Sequence, residues 1–277
     1  MKVSVIIAVY KDIQSLDLIL QALKKQTYTN FEVIVAEDNN SPAMADYIKT
    51  VEGLEILHTF QDDDGVRKSR SQNNGILAST GEYLIFIDGD IIPYSTFIEG
   101  HVALASKDAV LAGRRVNLSE DLSKKLRAGT LHPYTLEKFY LFFALGLLFD
   151  RNARFEQGIY FNPHGLLYKL FIEKRLRNTS LIGCNFSCYK EAMVAINGFD
   201  ESFGASSLPD DVDLDWRFRA YGLTLKSCKN SANTFHLFHK KQNNPTSAEQ
   251  RERFEKNKAG NIFVTKYGLN LHESSVH

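Results

Sequence analysis

Short apolar, β-branched segments alternate with amphipathic ones over the first third of this chain, and that alternation leaves few folds open. The run Val3-Ser-Val-Ile-Ile-Ala-Val9 is almost continuously apolar, the pattern of a strand covered on both faces. Leu16, Ile19, Leu20 and Leu23 then recur at helical spacing across 15–25. Residues 31–36, 54–60 and 83–87 repeat the strand pattern, with helical stretches at 42–51 and 67–79 between them. The resulting βαβαβαβ order predicts a parallel sheet that gathers ligands at the C-terminal ends of its strands. Farther on, the pattern predicts a helix near 93–106 and a strand at 109–118. Core patterning returns at 180–189, followed by a helix at 211–221, strands at 223–228 and 234–239, and a charged C-terminal helix over 247–267.

Composition narrows the function. Lys plus Arg and Asp plus Glu both number 33, so the chain carries no net charge, unlike a dedicated nucleic-acid binder. Cys184, Cys188 and Cys228 form an odd set without a CxxC pair. That disfavours a disulfide framework or structural zinc and fits reduced thiols in the cytosol. The N-terminal apolar run turns polar at Lys11-Asp12, as a buried strand does and a signal peptide does not. The longest apolar run, 139–149, falls well short of the roughly 20 residues that span a bilayer. Residues 119–178 differ in character, with 11 aromatics and 10 Lys/Arg against 6 Asp/Glu, a net +4.

Asp88-Gly89-Asp90 follows the fourth strand directly. A hard divalent cation takes carboxylate and phosphate oxygens together, so this acid pair suits a metal that neutralises a departing diphosphate. Gly89 lets the backbone approach a ligand closely. Asp-Gly is also common turn chemistry, so the motif gains weight only from its company. That company is Val5-Ile-Ile-Ala-Val-Tyr10, Val35-Ala-Glu-Asp-Asn-Asn-Ser41, Arg70-Ser-Gln-Asn-Asn-Gly75, Gly81 to Asp90, Asn197-Gly-Phe-Asp-Glu201 and Pro209-Asp-Asp-Val-Asp-Leu-Asp-Trp-Arg217. Taken in order, these segments resemble glycosyltransferase family 2, with its GT-A fold. The second half is also similar to a galactosyltransferase-type C-terminal segment.

The resemblance implies an α/β, Rossmann-like, mixed and mostly parallel sheet flanked by helices, interrupted by a helical aromatic and basic insertion. It divides the chain into a nucleotide-sugar-binding half at 1–118, the insertion at 119–178, an acceptor and catalytic half at 179–240, and a C-terminal helix within 241–277. Ala8, Val9 and Tyr10 would lie beside the nucleotide base, and Asp38 would accept the imide N–H of uracil. Arg70 would meet the phosphates with its fork of donors. Asp88 would contact ribose or metal, beside Gly89, and Asp90 would bind the metal. Asp211 aligns with the general base that takes a proton from the acceptor hydroxyl. Asp210 would hold that acceptor, and Trp216 would stack on its sugar or serve the core. His236 and His239 would complete the metal site, His236 ahead of His239, and imidazole favours Mn²⁺ over Mg²⁺.

An inverting glycosyltransferase of bacterial surface-polysaccharide or lipopolysaccharide type is the expected function. Its donor would be a UDP-hexose or UDP-N-acetylhexosamine, galactose-type favoured, and its acceptor a glycan or lipid-linked saccharide. No nucleic-acid partner is expected. The insertion would meet an anionic membrane surface, the acceptor or a second subunit, and the protein would be cytoplasmic, peripheral on the inner face of the membrane. Three departures touch the base pocket: Ala8 stands where Pro is usual, Lys11 where Asn is usual, and Glu37-Asp-Asn-Asn40 replaces Asp-Asp-Gly-Ser. Two rivals are a sugar-1-phosphate nucleotidyltransferase and a non-catalytic sugar-binding protein. The first would want a glycine-rich loop after the first strand, where Tyr10-Lys-Asp-Ile-Gln stands instead.

Overall fold

The computed structural model describes residues 1–147, 152–173, 179–204, 210–240 and 247–272, the side chains of Leu147 and Asp210 excepted. Numbered along the chain, β1 (Val3–Val9), β2 (Phe31–Glu37), β3 (Ile56–Thr59), β4 (Tyr83–Asp88), β6 (Ala109–Ala112), β8 (Asn185–Tyr189) and β9 (Thr224–Ser227) form the main sheet. Their order is β3-β2-β1-β4-β8-β6-β9. Only β8 runs against its neighbours, so the sheet is mixed and mostly parallel. A smaller sheet pairs β5 (Ile91–Pro93), β10 (Thr234–His236) and β7 (Val116–Asn117), in the order β5-β10-β7.

Continuous apolar strands are explained by cover on both faces. Val5 and Ile7 of β1 point into a core with Leu16, Ile19 and Leu23 of α1 (Ile13–Leu23), while Ile6 points the other way towards Ile76. Ile76 belongs to α3 (Lys68–Ala78), which follows α2 (Pro42–Lys49). α4 (Phe97–Leu104) seals the first core with Phe97 and Ile98. Phe86 and Phe186 stack at 4.5 Å between β4 and β8 in the second core.

Between β7 and β8 come α5 (Glu120–Arg127), α6 (Pro133–Lys138), α7 (Tyr140–Leu147) and α8 (Leu166–Tyr168), the last running into a π turn at Lys169–Glu173. α9 (Lys190–Ala195) and α10 (Asp210–Ala220) return to the sheet, and α11 (Ala248–Ala259) follows behind a Ser247–Gln250 capping box. None of the helices, among the described residues, is long and apolar enough to cross a membrane.

Among the boundaries that differ from the sequence expectation, two have clear physical causes. The strand expected over 109–118 breaks at Gly113, whose Cβ position would collide with the Asn185 side chain at 2.2 Å. β6 therefore stays in the main sheet while β7 joins the small one, and the buried Asn185 amide ties both by donating to the Arg114 and Ala232 carbonyls. The C-terminal helix expected to reach 267 stops at Ala259, because Asn261 turns left-handed at φ 51. The chain then folds back, with Leu269 buried and the Asn197 amide donating to the Thr265 carbonyl.

Candidate active site

Strand register assembles the floor of the site. Ala8 pairs with Asp88 on one side and with Ala36 on the other, so the ends of β2, β1 and β4 lie side by side. The Asp38 amide donates to the Val9 carbonyl at 2.9 Å, which fixes Asp38 across β1 from Asp88. Gly89 is required by this packing, since a Cβ there would sit 2.8 Å from the Ala8 carbonyl oxygen. The close approach expected of this glycine is made at least to β1.

Asp38 is buried and doubly held. Gln61 Nε2 donates to Oδ1 at 2.6 Å, and the Arg67 backbone N–H at the start of α3 donates to Oδ2 at 2.7 Å. Burial nevertheless pushes its carboxyl above the ordinary value, against the pull of Arg67 and Gln61. Each oxygen keeps a lone pair for a further donor. Tyr10 is exposed at the mouth of β1, where its hydroxyl and Lys11 Nζ both donate to Asp63, at 3.4 and 2.6 Å. Lys11 takes a left-handed φ of 56, the conformation that Asn at this position would adopt more readily. Arg70 lies on α3, with its Nε buried and unpaired among the described residues.

The metal candidates converge. Asp90 Oδ2 lies 3.2 Å from His236 Nε2 and 3.3 Å from His239 Nε2, and the two imidazole nitrogens are 3.2 Å apart. The donor atoms of all three lie within 4.8 Å of one another. The small sheet builds this cluster. Asp90 directly precedes β5, His236 ends β10, and the Leu237 N–H donates to the Asp90 carbonyl at 3.0 Å. Asn117 Oδ1, on β7, faces His236 Nδ1 at 3.1 Å, which leaves Nε2 turned towards Asp90 with its lone pair for a metal. One carboxylate and two imidazoles, oriented from behind, suit a first-row divalent ion. Burial works to raise the Asp90 carboxyl, but His236, His239 and Arg115 outweigh it and hold it below its usual value. Asp88 is not part of this cluster; its Oδ1 lies 2.7 Å from Lys68 Nζ.

The acids of α10 separate into different jobs. Asp213 pairs with the fully buried Arg217 at 3.1 Å, and Asp215 pairs with Arg219 at 2.6 Å while accepting the Leu181 N–H. Asp211 sits one turn before Asp215 on the same helix face, and its Oδ2 accepts the Gly183 N–H at 3.4 Å. A Cβ on Gly183 would lie 3.8 Å from Asp211 Cβ and 4.0 Å from Lys68 Nζ, so both side chains border Gly183. Trp216 packs edge-on against Phe254 of α11, with ring centroids 6.2 Å apart. Asp210 opens α10, and its side chain lies outside the described residues.

Three site residues escaped the sequence reading. Lys68 pairs with Asp88 and borders Gly183, as Asp211 does. Arg115 carries charge close to both Asp88 and Asp90 and donates to Cys184 Sγ at 2.6 Å. Asn117 orients His236. A signal existed for two of them: Arg115 and Asn117 alternate with Val116 and Leu118, which marks one polar strand face. A cavity of about 560 Å³ opens beside the histidines, lined by Arg115, Asn117, Arg154, Gln157 and His239 among others. All three cysteines are buried, and burial pushes the Cys184 thiol up to about 12.

The model of the Glycosyl transferase family 2 matches residues 4–162. This chain belongs to that family. Glycosyltransferase AglE of Haloferax volcanii is 32% identical over 124 residues, covering 42% of this chain and 40% of AglE. The curated relatives it matches are thus spanned over less than half of their length. TarS 1–349 of S. aureus, solved in complex with UDP-GlcNAc, superposes with a TM-score of 0.65 at 14% identity. It covers 98% of this chain and 69% of that one. The mannosyltransferase PcManGT of Pyrobaculum calidifontis, in complex with GDP-Man and Mn²⁺, gives a TM-score of 0.54 at 13% identity, covering 86% and 57%. These likenesses establish the GT-A fold.

Proposed function

We propose that this family 2 chain is a metal-dependent, inverting glycosyltransferase. It moves a hexose or N-acetylhexosamine from a UDP-sugar to a hydroxyl of a bacterial surface glycan or lipid-linked saccharide, at the cytoplasmic face of the membrane. The observation that carries the reading is the Asp90–His236–His239 cluster, whose Asp90 lies just past the strand end where Asp88 faces Asp38 across β1. The TarS complex with UDP-GlcNAc and the PcManGT complex with GDP-Man and Mn²⁺ support a nucleotide-sugar donor and a divalent metal. The galactosyltransferase-type resemblance of the second half favours a galactose-type sugar.

Asp90, His236 and His239 would hold the ion, Mn²⁺ ahead of Mg²⁺, and a bound ion would offset charge on the departing diphosphate. Asp38 accepts the uracil imide, and Ala8, Val9 and Tyr10 border the base. Lys68, Arg70 and Arg115 supply fixed positive charge to the phosphates, and Lys68 holds Asp88 where it meets the ribose. Asp211 takes the proton from the acceptor hydroxyl as its oxygen attacks the anomeric carbon, and the bond from that carbon to the diphosphate oxygen breaks. Asp210 and Trp216 belong to the acceptor side.

Release of UDP from a UDP-sugar with Mn²⁺, lost in Asp90→Ala, tests this reading. Pyrophosphate release from UTP and a sugar phosphate would instead assign a nucleotidyltransferase.

A further inference from the structure

Helices α7 and α8 are apolar on the wrong side. α7 docks through Tyr140 and Ala144, one turn apart, with the Tyr140 ring among Tyr94 and Phe235. Its outer face, with Phe139 just before it, shows Leu141 at 70% exposure, Phe142 at 72% and Leu145 at 59%. The α8 segment repeats the arrangement: Tyr168 and Ile172 are buried, while Leu166, Leu167, Leu170 and Phe171 stand half-exposed or more. An ordinary surface helix turns such residues inward and its polar face outward. Clustered apolar exposure of this kind marks an interaction surface.

The two ridges border the two ends of one helix, α4. The groove under α7 is lined by Tyr94, Ser95 and Thr96, at the entrance to α4. Tyr168 and Ile172 line another groove with Ala103, Leu104 and Ala105, at the exit of α4. An eight-residue helix places its two ends about 12 Å apart.

Charge identifies what covers the ridges. The described residues of 119–173 hold six Lys/Arg against five Asp/Glu. Several acids of this segment are already engaged: Glu137 accepts from Ser95, Glu156 faces Lys229, and Glu120 and Asp121 pair with Lys124 and Lys125. Lys138 stands exposed over the Phe139 ring, and Lys169 is exposed between Leu167 and Leu170. A second copy of this chain would set positive against positive across a two-fold axis. An anionic lipid surface offers acyl chains to the leucines and phenylalanines and headgroup phosphates to the lysines.

We propose that α7 and α8 form an in-plane membrane anchor, seated in the headgroup region of an anionic bilayer. The anchor gives the proposed membrane location a physical basis and stands whether or not the donor chemistry is as proposed. The test is flotation of the full chain with phosphatidylcholine vesicles containing roughly one-third phosphatidylglycerol, at low and high salt. The chain floats with the anionic vesicles at low salt, less at high salt, and stays behind with phosphatidylcholine alone. Phe142→Asp with Leu170→Asp, and separately Lys138→Glu with Lys169→Glu, each weaken partition by about tenfold or more. Both variants keep the parent melting temperature and the parent rate of UDP release from soluble donor. Absence of flotation at any salt, or equal flotation with neutral vesicles, overturns the proposal. So does a concentration-dependent dimer in sedimentation that Phe142→Asp abolishes, because the ridges then belong to a second copy.

Discussion

Asp211 and Asn117 carry the sharpest expectations at the scale of single residues. Asp211→Asn keeps the shape and the contact to Gly183 but removes the proposed base, so turnover should fall by about a hundredfold or more. UDP binding, followed by calorimetry, should stay near the parent value; an equal loss of both would deny Asp211 that role. Asn117 touches no substrate in the proposed scheme, yet it decides which nitrogen of His236 faces Asp90. Asn117→Ala should weaken Mn²⁺ binding by about tenfold, read by titration with the metal alone. An unchanged Mn²⁺ affinity would remove Asn117 from the site. Asp90, His236 and His239 were legible in the sequence through family resemblance, whereas Lys68 was not. Its partner Asp88 lies 20 residues away across a helix and a strand, and a lysine opening a helix reads as a solvated end.

Elements that are covered on both faces could be read directly, because burial forces nearly unbroken apolar runs at β1, β2 and β4. β5 and β7 are three and two residues long, too short to carry a period, and what defines them is partners far along the chain. The join between the first strands also holds a testable charge. Glu32 is buried on β2 and accepts hydrogen bonds from Ser4 of β1 and from Thr80 and Gly81 ahead of β4, with Lys2 Nζ at 2.8 Å. Burial raises its carboxyl, but Lys2, Ser4 and Thr80 together hold it down at about 2. A carboxyl depressed on folding stabilises fully above its unfolded value and loses that contribution as pH falls through the folded one. Glu32→Gln should therefore cost about 1–3 kcal/mol at neutral pH in urea denaturation. The gap to the parent should close as pH falls from the ordinary 4.5 towards 2. A gap that persists at low pH would show that shape rather than charge matters there.

Over the whole molecule, a neutral total conceals a segregated charge. The +4 of residues 119–178 is balanced by an equal acidic excess in the rest of the chain, which holds the site acids. Ligand binding should stabilise the fold as one unit, since α3, α10 and the small sheet all contribute to the site. Mn²⁺ with UDP at about a hundredfold excess over Kd should add about 2.7 kcal/mol, seen as a raised melting temperature. A screen of nucleotide-sugars in the same assay ranks donors by the shift each produces; no shift with any uridine nucleotide would deny the uracil reading of Asp38.

The pairing of β5 with β10 also governs when the site comes into being. His236 and Asp90 are 146 residues apart, so their contact closes a very long loop. Such closures are slow, and local contacts such as those of β1, α1 and β2 form first. The proposed metal ligands thus come together late in folding, after the barrier if the main sheet is the nucleus. Mn²⁺ should then leave the refolding rate nearly unchanged and slow unfolding instead, acting as a latch on a finished structure.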